Sequence, residues 1–453
     1  MPTNVITALA AATLLVCWVR LSLRRSGRDF YRRGTMIVHS DVGSRSRLKR
    51  QAQPRGAEVT LATIPLTPAD ETKHFKLIGT TGTGKTTAIG ELIDGALRRG
   101  DRAIISDPDG GYHRRLYRRY RGDVILNPFE SESVQWNPFA EVRDSYDIDQ
   151  LANALIPHSD DPSTREWRAY ARTFLSAVIR SCQRRRTCDL PELWRLLVMA
   201  SSEELQTIVA GSPAQPFLES HNARMFGSIR SVLMSAIAAL EYVKSQRSGT
   251  FSIREWVRDG RGVLFIPYRA GQIAALRSII SAWMRLAIVE ALSQSENRDQ
   301  RLWFVIDELD ALGAIDGLKD ALARLRKFGG RCVLGFQSIA QVSGTYGIGD
   351  AQTIVENCGN TLILRCSGSE SGGTSQFASR LIGEREVVRR QISRGRDRDV
   401  GLIARGSRRS TQTSEQCATE MALLPSELEQ LPDLCGYLKL SSSVAWRQVS
   451  LRR

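Results

Sequence analysis

From Lys73 onward, short apolar runs alternate with amphipathic segments, a pattern typical of parallel strands joined by helices. The segment from Thr86 to Leu97 places Ile89, Leu92 and Ile93 on one face and predicts a helix; further helices are predicted near 272–292 and 315–328. The predicted strands are Phe75–Ile78, Ala103–Ser106, Val124–Leu126, Val263–Ile266, Leu302–Ile306, Cys332–Phe336, Leu362–Leu364 and Leu438–Leu440. The chain is therefore expected to contain an α/β domain with a buried parallel sheet.

Between about residues 147 and 245 only helical periodicity is present. Tyr170, Phe174 and Val178 form one apolar stripe, and Ile229 with Leu233 belongs to another. Aromatic residues at this spacing are typical of a helical core. The pattern predicts an all-α block inserted into the α/β domain. The predicted segments are 1–25 (membrane anchor), 26–70 (basic juxtamembrane), 71–145 (first nucleotide-binding part), 146–250 (all-α insertion) and 251–453 (second nucleotide-binding part).

Composition narrows the class of protein. The chain has 453 residues, 25% charged, and its eight cysteines include no CxxC pair, which excludes a disulfide scaffold and disfavours a zinc site. The formal charge of +15 is divided between two segments. Eleven basic residues in 20–55 face only Asp29 and Asp41, and eight arginines in 389–410 face only Asp397 and Asp399. The second cluster is expected to be either a DNA-contacting loop or a flexible basic surface.

The N-terminal segment 5–19, VITALAAATLLVCWV, has no charged side chain and precedes the first basic cluster. The flanking arginines favour a single membrane anchor with the bulk of the chain in the cytoplasm, because positive charge is retained on that side. The stretch is shorter than the roughly 20 residues that usually cross a bilayer. A buried or amphipathic helix is therefore the alternative.

A phosphate-binding loop follows the first predicted strand of the α/β domain. The sequence GTTGTGKT fits G-x-x-x-x-G-K-[ST], and a predicted helix comes directly after it. Its main-chain N–H groups and the helix N-terminus are suited to the phosphates of ATP, Lys85 to the β- and γ-phosphates, and the Thr86 hydroxyl to Mg²⁺. The predicted nucleotide-binding residues are Gly79, Thr80, Thr81, Gly82, Thr83, Gly84, Lys85, Thr86 and Thr87.

Acidic residues end another buried strand. Asp307 is the predicted Mg²⁺-side carboxylate, and Glu308 is the predicted general base, with helix capping as its alternative. Gln337 follows the next strand and is expected to sense the γ-phosphate or orient water, unless it is a structural turn amide. Arg324, Arg326 and Lys327 lie off the apolar stripe of helix 315–328, where they would reach a neighbouring subunit or solvent.

The chain resembles the coupling proteins of conjugative type IV secretion systems, of the TraD and TrwB type. The resemblance is carried by HFKLIGTTGTGKTTAIGEL, RAIISDPDGGY, LNPF, WNPF, FVIDELDAL, RCVLGFQSIAQV and NTLILRC, in that order, over roughly residues 60–440. It implies a RecA-like P-loop fold with an inserted all-α domain and an N-terminal anchor in the bacterial inner membrane. Lys85 and Thr86 match its first nucleotide motif, Asp307 and Glu308 its second, Gln337 its sensor glutamine and Arg326 its arginine finger.

The resemblance also implies an ATP-hydrolysing hexamer that binds the relaxase–DNA complex and pumps single-stranded DNA toward the secretion channel. Relaxosome proteins and channel proteins are the implied partners. Two alternatives stay open at this point. One is a nucleotide-gated receptor without motor activity, and the other is a different membrane-bound DNA translocase of the same superfamily.

Overall fold

The computed structural model describes residues 30–39, 59–159, 161–244, 250–370, 372–398 and 407–452. The predicted anchor, residues 1–25, lies outside these ranges, as does much of the basic segment 26–70. Within the described ranges, none of the helices combines the length and apolar character needed to cross a bilayer.

Ten strands form the central sheet, in the order β2-β15-β14-β11-β5-β10-β9-β6-β8-β7. The seven strands from β11 to β7 are mutually parallel, and β14 and β15 add antiparallel pairings at one side. The strands are β1 Phe30–Gly34, β2 Ile37–Val38, β3 Thr60–Leu61, β4 Ile64–Pro65, β5 Phe75–Ile78, β6 Arg102–Pro108, β7 Val124–Ile125, β8 Val263–Tyr268, β9 Leu302–Ile306, β10 Gly330–Phe336, β11 Asn360–Ile363, β12 Glu384–Arg398, β13 Ser407–Met421, β14 Cys435–Lys439 and β15 Trp446–Ser450. The predicted strands are all present, with ends displaced by up to three residues.

Helices cover both faces of this sheet. They are α1 Pro68–Glu71, α2 Lys85–Arg98, α3 Gly111–Leu116, α4 Ser145–Leu155, α5 Pro162–Arg185, α6 Leu190–Val198, α7 Ser202–Val209, α8 Ala223–Ile237, α9 Leu240–Lys244, α10 Ile253–Asp259, α11 Ile273–Ser293, α12 Leu318–Arg324, α13 Ile339–Tyr346, α14 Ile348–Asn357, α15 Gly373–Ile382 and α16 Pro425–Glu429. Because successive strand residues point to opposite faces, Trp303 and Val305 enter one core while Phe304 and Ile306 enter the other.

The helices α4–α10 and three short 3₁₀ turns occupy most of the described chain between residues 138 and 259, and their apolar side chains continue one of these two cores. Phe174 and Leu193 of the helical block belong to the same buried cluster as Trp283 and Phe304. The block therefore packs on the sheet through a shared interior rather than through a separate one. The domain boundaries drawn from the sequence stay a prediction.

Two expectations need correction. The helix predicted over 315–328 is shorter, because α12 ends at Arg324 and a 3₁₀ turn, Leu325–Phe328, follows it. Residues 389–398 and 407–410 lie in the long antiparallel pair β12–β13, which β1 extends to three strands. The main chain of these described residues is therefore strand rather than loop, and DNA contact by the cluster stays a prediction. Its polar, arginine-rich sequence lacks the apolar alternation by which strands are recognised.

A buried network of charged side chains stabilises the sheet at the amino-terminal ends of its central strands. Glu71 accepts hydrogen bonds from Arg99 at 2.7 and 2.8 Å and from Arg331 at 3.1 Å, and Arg99 also pairs with Asp101 at 2.6 Å. The indole N–H of Trp303 donates to Asp101 at 2.9 Å. Burial acts to raise the pKa of Glu71, but the hydrogen bonds and charges of Arg99 and Arg331 outweigh it and lower that pKa. The network joins α1, α2, β9 and β10.

We expect Glu71→Gln to lower the free energy of unfolding by about 3 kcal/mol at neutral pH, because it leaves the buried Arg331 guanidinium without its carboxylate and removes one of the two carboxylates that pair with Arg99. The pKa of Glu71 is depressed in the folded state, so its contribution is present above the unfolded-state pKa of about 4.3 and is lost as pH falls. The difference between the two proteins in urea unfolding should therefore shrink below about pH 4.

Asp94→Asn is the matched control, since Asp94 pairs with Arg98 at 3.3 Å on an exposed helix surface. It should change the unfolding free energy by less than about 0.5 kcal/mol. Equal losses in Glu71→Gln and Asp94→Asn would contradict a structural role for the buried network.

Candidate nucleotide-binding site

The phosphate loop connects β5 to α2, as the sequence predicts. Gly82 and Gly84 have positive φ angles of 78° and 115°, which side-chain-bearing residues rarely adopt. The turn directs the N-terminus of α2 at the loop, and Thr86 and Thr87 lie in its first turn. The local sequence therefore folds into a concave main-chain surface beside a helix N-terminus, the arrangement that binds phosphates.

Lys85 lies inside this loop with 7% of its surface exposed. Its ammonium donates hydrogen bonds to the carbonyl oxygens of Gly79 at 2.6 Å and Thr80 at 3.2 Å. Burial lowers the pKa of Lys85, and the carboxylates of Asp307 and Glu308 oppose that shift. The Lys85 ammonium is thus held by two neutral carbonyl acceptors. A negatively charged phosphate oxygen is a stronger acceptor and could replace them.

Asp307 and Thr86 meet across the site. The Thr86 hydroxyl donates to Asp307 Oδ2 at 2.7 Å, and the Tyr112 hydroxyl donates to the same oxygen at 2.8 Å. Asp307 Oδ1 is buried and has no hydrogen-bond partner among the described residues. A threonine hydroxyl beside a carboxylate with an unused buried oxygen matches the hard oxygen donors that Mg²⁺ prefers. These residues fit the predicted metal position.

Glu308 is linked to the phosphate loop by a chain of hydrogen bonds. Gln337 donates to Glu308 Oε1 at 3.1 Å and accepts from the Thr81 hydroxyl at 2.8 Å. Burial, and then the negative charges of Asp307 and Asp310, raise the pKa of Glu308. The residues after Glu308 form turns, and α12 begins only at Leu318, so helix capping does not describe this side chain. Gln337 likewise makes contacts of the site rather than of a turn.

Arg326 lies away from this group. It is exposed in the 3₁₀ turn that precedes β10, whereas Gln337 follows the other end of that strand. The seven residues of β10 alone span about 23 Å. The structure therefore brings together five of the predicted residues at the carboxyl ends of the strands: Lys85, Thr86, Asp307, Glu308 and Gln337. Arg326 lies at the amino-terminal ends of the strands, on the opposite side of the sheet from the site.

Two further residues contribute to the site and were given no role from the sequence. Asp107, at the end of β6, accepts hydrogen bonds from the main-chain N–H groups of Tyr112 at 3.0 Å and His113 at 2.7 Å. Burial raises the pKa of Asp107 to about 6. The hydroxyl of Tyr112 then reaches Asp307. The available signal was the acidic residue ending the strand next to that of Asp307, because parallel strands present their carboxyl ends at one edge.

The last strands hold the phosphate loop in place. The main-chain N–H of Leu434 donates to the Thr83 carbonyl at 2.9 Å, and that of Thr80 donates to the Arg365 carbonyl at 2.9 Å. Leu434 has a φ of 63°, a conformation that strains a residue with a branched side chain. A Cβ on Gly84 would come within 2.8 Å of the Leu434 side chain, so glycine permits this close packing. Such long-range contacts leave no trace in local sequence patterns.

Comparisons with known proteins agree with this geometry. The family model described as the type IV secretion-system coupling protein DNA-binding domain matches residues 58–452. The coupling protein TraD of Escherichia coli K12 is 31% identical over 411 residues, which cover 88% of this chain and 55% of TraD. A conjugal transfer protein TraG of Escherichia coli is 22% identical over 405 residues, covering 80% of this chain and 62% of TraG. The chain thus spans less than two thirds of these relatives.

Solved structures of the plasmid coupling protein TrwB share the fold. The unbound form has a TM-score of 0.80 and 31% identity, with 94% of each chain covered. The form in complex with ADP and Mg²⁺ has a TM-score of 0.79 and 31% identity, again with 94% of each chain covered. The predicted α/β class with a large parallel sheet is confirmed, and so is the resemblance drawn from the motifs. This chain belongs to the family of type IV secretion-system coupling proteins.

Proposed function

We propose that the protein is a membrane-anchored hexameric ATPase that couples a relaxase–DNA complex to a type IV secretion channel and pumps single-stranded DNA. The observation that supports catalysis is the pair of hydrogen-bond links across the site, Thr86 to Asp307 and Thr81 through Gln337 to Glu308. The first link joins the phosphate loop to the carboxylate that would hold Mg²⁺, and the second joins it to the carboxylate that would accept a proton. The solved TrwB complexes with ADP and Mg²⁺, with an ATP analogue and with a GTP analogue support the binding of a nucleotide and Mg²⁺.

ATP would be held by the loop residues Gly79–Thr87, with Lys85 exchanging its two carbonyl partners for phosphate oxygens. Thr86 and Asp307 would hold Mg²⁺, and Tyr112 orients Asp307 from behind. Bound Mg²⁺ supplies charge neutralisation for the phosphate oxygens. The buried Asp307 Oδ1, which has no hydrogen-bond partner among the described residues, would be free to serve as a metal ligand. Lys85, Thr86 and Asp307 would thus all bind the same ligand, ATP with its Mg²⁺ ion.

Hydrolysis would follow from Glu308. Its raised pKa makes the carboxylate a better proton acceptor, and Gln337 holds it in place. A water between Glu308 and the γ-phosphorus gives its proton to the carboxylate as its oxygen attacks, and ADP leaves with the bridging oxygen. Gln337 can also orient that water through its amide.

The assembly is inferred from the position of Arg326. This side chain lies at the amino-terminal ends of the strands, whereas the nucleotide site of the same subunit lies at their carboxyl ends. Arg326 would therefore act as an arginine finger only by entering the nucleotide site of a neighbouring subunit. Head-to-tail contacts give a closed ring when the rotation between neighbouring subunits closes, as a hexamer requires. The anchor at residues 1–25 would place the protein in the bacterial inner membrane with a single pass, and the bulk of the chain in the cytoplasm.

We expect the purified full-length protein to hydrolyse ATP faster in the presence of single-stranded DNA, as measured by phosphate release. Lys85→Ala should reduce both rates by about 100-fold or more, because it removes a cation from the developing phosphate charge. Lys73→Ala, which changes an exposed lysine one strand upstream, is the matched control and should keep both rates. Equal rates with and without DNA in the unmodified protein would contradict a motor function.

Replacing the proposed base separates a motor from a receptor. Glu308→Gln should bind a fluorescent ATP analogue with nearly unchanged affinity and hydrolyse ATP about 100-fold more slowly or worse, since it removes general-base catalysis. Asp320→Asn, an exposed acidic position on α12, should behave as the unmodified protein does. If the unmodified protein bound ATP without measurable turnover, Glu308→Gln would behave as it does, and the nucleotide-gated receptor would be favoured instead. Full turnover in Glu308→Gln would show that Glu308 is not the general base.

Tyr112→Phe tests whether the hydrogen bond from the Tyr112 hydroxyl positions Asp307 for Mg²⁺ binding. Removing the hydroxyl leaves the ring in its buried position and takes one hydrogen bond from Asp307 Oδ2. The Mg²⁺ concentration for half-maximal ATPase activity should rise by about 10-fold or more, as for other outer partners of metal ligands. Tyr117→Phe, in the same segment, should leave it unchanged; an equal shift in both variants would indicate a general loss of structure.

A further inference from the structure

An arginine-rich segment connects β6 to β7. Residues 112–122, YHRRLYRRYRG, comprise most of α3 and the 3₁₀ turn Arg119–Arg121. They contain five arginines and three tyrosines and no acidic residue. Their charge is hidden in the overall balance, because acidic residues elsewhere in the chain cancel it. Its net charge of +5 over eleven residues is a higher charge density than that of 20–55, with +9 over 36 residues, or of 389–410, with +6 over 22 residues.

Most of this charge is free of carboxylate partners. Arg121 pairs with Asp123 at 2.6 Å. The other four arginines are exposed, and no carboxylate of the described part of the chain lies within ion-pair distance of them. The Arg118 guanidinium donates to the main-chain carbonyls of Arg115 and Tyr117, at 3.2 and 2.7 Å, which fixes its position without neutralising it. We call Arg114, Arg115, Arg118, Arg119 and Tyr120 the 114–120 surface.

Tyr120 gives this surface a second property. Its side chain is 88% exposed between Arg119 and Arg121. An exposed ring that buries little has no packing role, whereas a ring among arginines can stack on an unpaired nucleobase while the guanidinium groups contact phosphates. In a duplex the bases are stacked on each other, so the combination suits a single strand.

The position of the 114–120 surface argues against a membrane partner. It adjoins β7, which is one edge of the ten-stranded sheet, and β2 is the other edge. Residues 37–38 of β2 follow the predicted anchor closely, and nine strand spacings separate the two edges, about 43 Å. The surface also lies inside the range matched by the DNA-binding family model. These two observations favour a nucleic acid over the membrane surface as the partner of the 114–120 surface.

We propose that the 114–120 surface binds single-stranded DNA, with Tyr120 stacking on a base and Arg118 and Arg119 contacting phosphates. The proposal rests on the function proposed above, and it adds a location for the DNA. It also adds a route from the DNA to the nucleotide.

That route runs through α3. Tyr112, in the first turn of α3, donates to Asp307 at 2.8 Å, and Asp107 holds the main-chain N–H groups of Tyr112 and His113. The Arg115 guanidinium lies directly against Gly90 of α2, where any Cβ would collide with it. Single-stranded DNA bound to the arginines could therefore change the positions of both Asp307 and α2, the helix that follows the phosphate loop. This arrangement couples DNA binding to the site of hydrolysis.

The experiment uses the full-length protein in detergent and a fluorescently labelled oligothymidylate, with binding followed by anisotropy over a range of salt concentrations. The test variants are the double substitution Arg118→Glu/Arg119→Glu and the single substitution Tyr120→Ala. The matched control is Arg224→Glu/Arg298→Glu, which makes the same charge change at two exposed arginines elsewhere. ATPase rates with and without oligothymidylate are measured on the same samples.

The double test variant should bind oligothymidylate at least 10-fold more weakly, and the slope of log K against log salt should decrease by about 1.4, the value for two lost phosphate contacts on a single strand. Tyr120→Ala should weaken binding by about 10-fold with little change in that slope, since stacking releases no counterions. Basal ATPase activity should remain, while its stimulation by DNA should be lost in the double variant.

Four results would overturn the proposal. The first is unchanged DNA affinity in both test variants while the unmodified protein is stimulated by DNA, which would leave the motor function standing. The second is an equal loss in the control, which would show that net charge alone is responsible. The third is normal DNA binding with lost binding to phosphatidylglycerol vesicles, which would assign the surface to the membrane. Absence of DNA binding by the unmodified protein would overturn this proposal and the motor together.

Discussion

The parallel register of four central strands is the constraint on which the site depends. Main-chain pairing sets Ile78 level with Phe336, Leu334 level with Ile306, and Ile306 level with Ser106. The residues that follow these positions therefore emerge at the same end of the strands, although two of them, near positions 79 and 107, lie at least 200 positions before the other two. Gly79, Gln337, Asp307 and Asp107 meet there because the strands end together, and their side chains need only short reaches to form hydrogen bonds.

Much of this could be predicted because the central strands are buried on both faces. Continuous apolar runs such as Leu302–Ile306 are conspicuous, and the polar residue after each run marks the functional edge. The glycines of the phosphate loop are equally readable, since their positive φ angles restrict the residue type. The order of strands in the sheet, in contrast, depends on packing between distant segments. The support of the loop by Leu434 could not be predicted for that reason.

The two errors have different physical origins. The pair β12–β13 is fifteen residues long in each strand and is held by main-chain hydrogen bonds, so its side chains need not alternate between apolar and polar. A prediction based on apolar periodicity therefore interprets the arginines of this hairpin as a loop. The shortened helix before β10 has a different cause, because Gly329 has a φ of 75° and a preceding 3₁₀ turn redirects the chain into the strand. Arg326 consequently belongs to a turn at the amino-terminal edge.

Net charge is a poor guide to where a polyanion would bind, and this chain shows why. The formal +15 is accounted for by two segments, and the rest sums to zero, which suggests an evenly neutral body. Yet the network of Glu71, Asp101, Arg99 and Arg331 uses its charges internally, in a buried position where they present no field to a ligand. The 114–120 surface leaves its arginines exposed and without carboxylate partners in the described structure. What attracts a phosphate is the uncompensated charge at one place on the surface, so ion pairs must be removed from the count before a basic protein is interpreted as a DNA-binding one.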